Sequence, residues 1–192
     1  MMSDPLKAIV ETEDRFVTIA QPSMKFDTER GFAVQILKNN KYLYDIASKN
    51  IPSLQQAITN VAAIGLSLNP AEKLAYLIPR KGKVYLDPSY MGLMKLATDS
   101  GSIKWIQANM VHANDTFVDN GPGEKPTHTY QAFATAEARG EWVGAYCVAK
   151  TDEGDYLTTL MPMEELYEVR GRSEAWKSKK SGPWLTDPGE QC

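Results

Sequence analysis

Leu74-Ala-Tyr-Leu-Ile-Pro79, Arg80-Lys-Gly82 and Lys83-Val-Tyr-Leu-Asp87 form the stretch that decides how this chain is read. Its two flanking runs are short and β-prone, and Gly82 between them can supply a positive φ. The pattern predicts a β-hairpin whose tip carries Arg80, Lys81 and Lys83. Upstream of it the periodic segments are helical. Asp4-Pro5 reads as an N-cap followed by proline at the first helical position, and Leu6, Ile9, Val10, Phe16 and Val17 then recur at helical spacing. A second helix is expected over Thr28 to Leu37. Ser53 and Gln56 form an S-x-x-Q capping box after Pro52, opening a helix with Leu54, Ile58 and Val61 on one face and Gly65 as its stop.

Downstream the strands take over. Ser89 caps a predicted helix with Tyr90, Leu93, Met94 and Ala97 inward, ending at Gly101. Ile103 to His112 reads as a strand and Asn120-Gly-Pro-Gly123 as a loop. Tyr130 to Ala138 and Trp142 to Lys150 read as a strand pair turning near Arg139-Gly140. Tyr156 to Met161 is a further strand, and Pro162 precedes a helix from Met163 to the region of Arg172. Helices first, then mostly antiparallel strands, indicate an α+β fold: a small antiparallel sheet with a hairpin, packed with helices, behind an N-terminal helical part. With no repeat, low-complexity tract or obvious linker, residues 1–192 read as a single domain.

Composition bounds the class. The chain has 192 residues, 43% hydrophobic and 23% charged, which are globular proportions. A domain of that length buries roughly 70% of its unfolded surface, so disorder, collagen and coiled coil are excluded as overall classes. No apolar run approaches the roughly 20 residues of a membrane helix. The N-terminus has no basic region followed by an apolar one, as a signal peptide would. Cys147 and Cys192 are too few for a disulfide framework, so a reduced, cytoplasmic setting is expected.

A net charge of −3 hides two basic clusters. Lys73, Arg80, Lys81, Lys83, Lys95 and Lys104 share their stretch with only Asp87 and Asp99. Arg170, Arg172, Lys177, Lys179 and Lys180 share theirs with only Glu174. Either cluster alone is most simply a solvated face; two in one chain weaken that reading without removing it, since phosphate binding needs local clusters and not a high overall charge. Tyr76, Tyr85, Tyr90 and Trp105 interleave with the first cluster, a combination that suits single-stranded nucleic acid, where rings stack on bases and cations track phosphates. Tyr76 and Trp105 read as core; Tyr85 and Tyr90 remain candidates for base stacking.

Catalytic chemistry finds no constellation. His112 and His128 have no cysteine or carboxylate at metal-ligand spacing, so no metal site is expected. Cys147 lies in an apolar run, Val143-Gly-Ala-Tyr-Cys-Val-Ala149, and reads as structural rather than nucleophilic. Asp152, Glu153 and Asp155 flank a turn, and Glu164-Glu165 opens a helix. Neither a GxxxxGK[ST] nor a GxGxxG loop is present, so no nucleotide cofactor is expected.

The ordered succession of short motifs is more telling than any one of them. Ala57-Ile-Thr-Asn-Val-Ala-Ala-Ile-Gly-Leu-Ser-Leu-Asn-Pro70, Ala75-Tyr-Leu-Ile-Pro79, Tyr90-Met-Gly-Leu93 before Ser100-Gly101, Asp115-Thr-Phe117, Gly144-Ala-Tyr-Cys-Val-Ala149 and Gly182-Pro-Trp184 resemble, in order and spacing, the RecT family of phage single-strand annealing proteins. Gln21-Pro-Ser-Met24 is similar as well, so the resemblance runs from about Gln21 to Glu190. It implies binding of single-stranded DNA without ATP, annealing of complementary strands into duplex during homologous recombination, and no bond-breaking active site. It also implies assembly into rings or helical filaments, a partner phage exonuclease, and DNA in a basic groove along the oligomer. Lys73 and Lys81 fall where the similar Redβ proteins have lysines implicated in DNA binding, and Lys177 to Lys180 fall in a similarly basic stretch. Met91 and Thr98-Asp99 stand where the family usually has basic residues. The family continues beyond Glu190 into a lysine- and arginine-rich helix, so the chain is expected to lack that helix. The alternative readings are a remnant that oligomerises but anneals poorly and, from another class, a small hydrolase using Cys147 or a histidine.

Overall fold

The computed structural model describes residues 4–172 and 174–177. It divides between Leu96 and Ala97 into two compact units. The first is built from α1 (Pro5–Val10), α2 (Glu13–Ile19), α3 (Phe26–Asn39), α4 (Lys41–Lys49), α5 (Ile51–Ile64), β1 (Ala75–Arg80) and β2 (Lys83–Pro88); α6 (Tyr90–Asp99) begins there. Its core gathers around α5. Leu54, Ile58 and Val61 pack with Ile9, Phe16, Leu37 and Leu43 of the preceding helices and with Leu77 and Val84 of the hairpin. Each such fully buried aliphatic side chain is worth roughly 1.5–3 kcal/mol.

Local chemistry explains where these helices start and stop. Asp4 caps α1 as expected, its carboxylate accepting from Leu6 N–H at 2.9 Å with Pro5 at the first helical position. The helical pattern that follows is broken at Glu11-Thr12, where the Thr12 hydroxyl turns back to the Ile9 carbonyl at 2.6 Å, and Val10 and Val17 are left exposed. The helix α4 carried no recognised start signal; Asn40 caps it, accepting from Leu43 N–H at 3.0 Å. The expected capping box is displaced. Asn50, not Ser53, caps α5, accepting from Ser53 N–H at 3.2 Å. Ser53 is thereby free to donate to the Asn50 carbonyl and to accept from Val84 N–H of the hairpin, while Gln56 bonds Asn60. Gly65 ends α5 in the left-handed region, φ 76°.

The inward face expected for α6 is also corrected. Ser89 does cap it, accepting from Gly92 N–H at 3.0 Å. The face turned to the first unit, however, is that of Gly92, and Tyr90 and Leu93 are exposed. A methyl group on Gly92 would collide with the Leu74 carbonyl and approach Leu66 Cδ1 to 3.1 Å. Only glycine lets this helix lie so close, and the close approach sets its rotation.

The second unit holds β3 (Ile103–His112), β4 (Thr116–Val118), β5 (Thr127–Thr129), α7 (Ala136–Arg139), β6 (Trp142–Thr151), β7 (Tyr156–Pro162), α8 (Met163–Gly171) and α9 (Glu174–Lys177). The antiparallel sheet has the order β3-β6-β7, and β4 pairs with β5 in a separate ribbon. The expected pairing of Tyr130–Ala138 with β6 is not formed. The neighbours of β6 are β3, with Ala108 opposite Cys147, and β7, with Cys147 opposite Thr159. Ala136-Glu-Ala-Arg139 are helix formers instead, and Thr135 caps them by accepting from Ala138 N–H. Mixed helices and small antiparallel sheets behind an N-terminal helical part make the fold α+β.

Candidate nucleic-acid interface

The hairpin separates its two faces cleanly. Leu77 pairs with Leu86 and Pro79 with Val84 on the face packed toward α5; Tyr76 pairs with Asp87, Ile78 with Tyr85 and Arg80 with Lys83 on the other. Tyr76 and Tyr85 are 45% and 42% exposed, so this outer face offers two accessible rings with two cations beyond them. The assignment of Tyr76 to the core is therefore wrong. Strand parity carried the signal: with Ala75 and Leu77 inward, Tyr76 must point out.

The tip is built against its own local preferences. Lys81 and Gly82 form a two-residue turn with φ 48° and 71°, the doubly left-handed geometry of a type I′ turn, which favours Asn-Gly. A lysine there costs of order 1–2 kcal/mol. Arg80 and Lys83 stand directly opposite each other, and like charges so placed repel. None of the three cations forms a salt bridge among the described residues. The tip is nevertheless fixed, because Ser53 Oγ accepts from Val84 N–H at 2.9 Å and Asn50 Nδ2 donates to the Gly82 carbonyl at 3.4 Å.

Lys73 sits at the opposite end of the ribbon. It too has a positive φ, 55°, in a turn held by Asn69 and by the Ser89 hydroxyl, which donates to the Lys73 carbonyl at 2.6 Å. The approach to this turn hangs on buried Glu29, whose carboxylate accepts from Ser67 Oγ at 2.7 Å and Leu68 N–H at 2.8 Å. Lys73 and Lys81 thus flank a strand of six residues. At roughly 3.3 Å per residue that is about 20 Å.

The remaining predicted cations are placed differently. Lys95 lies exposed on α6. Lys104 is engaged within the second unit, donating to the Asp152 carbonyl at 2.8 Å with the Asp152 carboxylate at 3.5 Å. Arg170 of α8 lies over the Tyr167 ring at 4.4 Å and the Trp176 ring at 4.1 Å, fastening α8 to α9. Arg172 and Lys177 are exposed; Lys179 and Lys180 lie outside the described residues. Tyr90 is 52% exposed and available for stacking. Trp105 is half-buried, edge-on to Tyr156, with Lys125 Nζ 5.9 Å from its ring, and so is not a closed core residue.

Sequence reasoning missed a buried polar network in the second unit. Asp115, just before β4, accepts from Arg139 Nε at 3.0 Å and His112 N–H at 2.9 Å, and lies 3.0 Å from His128 Nε2. The Arg139 hydrogen bonds, ahead of those from His112 and His128, hold the Asp115 carboxyl well below the usual carboxylate range despite its burial. His128 Nδ1 is 3.1 Å from the Tyr146 hydroxyl. Both ring nitrogens of His128 therefore have partners, Asp115 on one side and Tyr146 on the other. Burial pushes the Cys147 thiol up, away from the thiolate a nucleophile needs. Among the described residues no group of three or more His, Cys, Asp or Glu is placed to hold a metal ion. Nor is any helix among them long and apolar enough to cross a membrane.

The motif order running through both units is that of a class of DNA-recombination proteins. The family model of the RecT family matches residues 30–192, and the chain belongs to that family. It is similar to Protein RecT of Escherichia coli strain K12, with 28% identity over 198 residues, covering 93% of this chain and 71% of that protein.

Proposed function

We propose that this chain binds single-stranded DNA without ATP and pairs complementary strands, with the outer face of the β1–β2 ribbon as the contact surface in the first unit. The observation that carries the reading is the hairpin tip. A left-handed lysine beside a like-charge cross-strand pair, with no acidic partner in ion-pair contact among the described residues, is unfavourable in isolation, and a polyanion relieves the charge repulsion. The rings of Tyr76 and Tyr85 supply stacking platforms beside it. Lys73, at the far end of the ribbon, continues the phosphate track in the first unit, and Arg172 is a further exposed cation within the second. Each chain neutralises few phosphates, so useful binding comes from many copies linked along one strand, in a ring or filament. The reading places it in a bacterial cytoplasm beside a phage exonuclease that exposes single strands.

Annealing of two complementary oligonucleotides, with and without ATP, tests this. Pairing is expected without ATP. Tyr76→Ala with Tyr85→Ala should weaken single-strand binding at an unchanged salt slope. Arg80→Gln with Lys83→Gln should weaken binding and flatten the slope by about 1.4, at ~0.7 per phosphate contact. A requirement for ATP, or full affinity in both folded double variants, refutes the reading.

A further inference from the structure

The second unit contains a cavity of about 450 Å³, within the roughly 300–1,000 Å³ range of small-molecule sites. Trp105, Gln107 and Asn109 of β3 line it on one side; Tyr146, Tyr130 and Lys125 are among the residues that complete it. The period of two along β3 puts the first three on one face, and the sheet register sets Asn109 opposite Tyr146. None of the lining residues is acidic.

The walls are fixed before any ligand arrives. Tyr146 is held by His128, which is held by Asp115 and, through it, Arg139. Arg139 also lies 4.0 Å over the Tyr130 ring, whose other neighbour is His128 at 5.0 Å between centroids. Asn109 stands opposite Tyr146 in the sheet, and Gln107 Nε2 donates to Asn109 Oδ1 at 3.4 Å, which leaves the Gln107 carbonyl to accept. The cup therefore offers aromatic faces, amide groups with defined donor and acceptor directions, and one ammonium at Lys125. A ligand matching all three has a π-face, a hydrogen-bonding edge and an adjoining negative charge.

We propose that this cup receives a nucleobase turned out of a bound single strand, with the neighbouring phosphate on Lys125. The inference rests on the single-strand-binding reading, and it assigns the second unit a base-dependent contact separate from the hairpin tyrosines.

The test compares an oligothymidylate with a strand of the same length in which alternate bases are replaced by abasic sites. Both carry the same phosphates, so their affinity ratio isolates the contribution of the bases. The protein used is the Tyr76→Ala/Tyr85→Ala variant, in which the ribbon rings no longer contribute. Gln107→Trp plugs the cup from an exposed strand position, and Trp105→Leu removes a platform. Each should reduce the preference for the base-bearing strand by between about five- and 150-fold, the span of one stacked base, with the salt slope unchanged. Lys125→Gln should instead lower the slope by about 0.7. If the folded Gln107→Trp protein binds both strands with the parent affinity ratio, the cup takes no base, while single-strand binding itself stands. If its loss of preference appears only together with loss of oligomers, the cup holds a segment of a neighbouring copy and the proposal is overturned. If the wild-type chain binds neither strand, the underlying reading fails as well.

Discussion

Replacing Lys81 by asparagine should move stability and DNA binding in opposite directions. At φ 48°, followed by Gly82 at φ 71°, position 81 belongs to a turn that asparagine adopts far more readily than lysine. A left-handed residue other than glycine, asparagine or aspartate costs of order 1–2 kcal/mol. Recovering about half of that, roughly 0.5–1 kcal/mol, corresponds to an increase in Tm of roughly 1–4 °C for a chain of this size. The hairpin register and its bonds to Ser53 and Asn50 involve the Gly82 and Val84 backbone, so the substitution leaves them intact. The same change removes one exposed cation. For single strands each lost phosphate contact lowers the slope of log K against log salt by about 0.7. Between 50 and 200 mM salt, a fourfold range, the drop in affinity should therefore be about 2.6-fold smaller than in the wild type. Thermal unfolding gives the first quantity, and fluorescence anisotropy of a labelled oligonucleotide at several salt concentrations gives the second. A variant that is less stable, or whose salt slope matches the wild type, refutes the assignment of Lys81 as a strained phosphate contact.

Asp115→Asn should destabilise the second unit by about 3–5 kcal/mol at neutral pH, because it leaves the Arg139 guanidinium without its buried partner. Because the folded-state pKa of Asp115 is depressed, its stabilisation is present above the ordinary carboxylate value near 4 and is lost as pH falls below it. Urea unfolding of the wild type should weaken below about pH 4 by more than that of the variant, and equal acid sensitivity would count against the network. Gly92→Ala, which forces a methyl group onto the Leu74 carbonyl, should cost about 1–3 kcal/mol or more; a fully stable variant would show that α6 can shift freely. Cys147→Ala, at a half-buried strand position, should cost about 1 kcal/mol and leave single-strand affinity unchanged. Loss of binding in the folded variant would show that the thiol does more than pack.

The sequence made the hairpin legible because its signals are local: β-prone runs, a glycine at the turn, cations at the tip. Gly65 and Asp4 were legible for the same reason. Tyr76 was misread through attention to residue type when parity along the strand had already fixed its direction. The shift of the α5 cap from Ser53 to Asn50 depends on a tertiary bond, from Val84 N–H to Ser53 Oγ, that sequence spacing does not contain. The strand expected at Tyr130–Ala138 failed because a helix-forming run, Ala136–Arg139, was subsumed into it. The Asp115 network was invisible because its members lie 3, 13 and 24 residues apart and meet only when β4, β5 and α7 come together.

What the hairpin gains from its anchoring bears on how it would meet DNA. A free two-stranded ribbon is marginal in water, and ordering it on binding would consume part of the gross attraction to the strand. Here Leu77 and Val84 are buried against the helical core, and Asn50 and Ser53 at the start of α5 hold the tip. The repulsion between Arg80 and Lys83 and the backbone strain at Lys81 are thus carried by folding, before any strand is present. A binding polyanion relieves the repulsion without having to order the ribbon, so more of the electrostatic attraction is retained as affinity. The apolar inner face of β1–β2 and the cationic tip are in that sense parts of one device: burial on one side makes an otherwise unfavourable cluster of charge persist on the other.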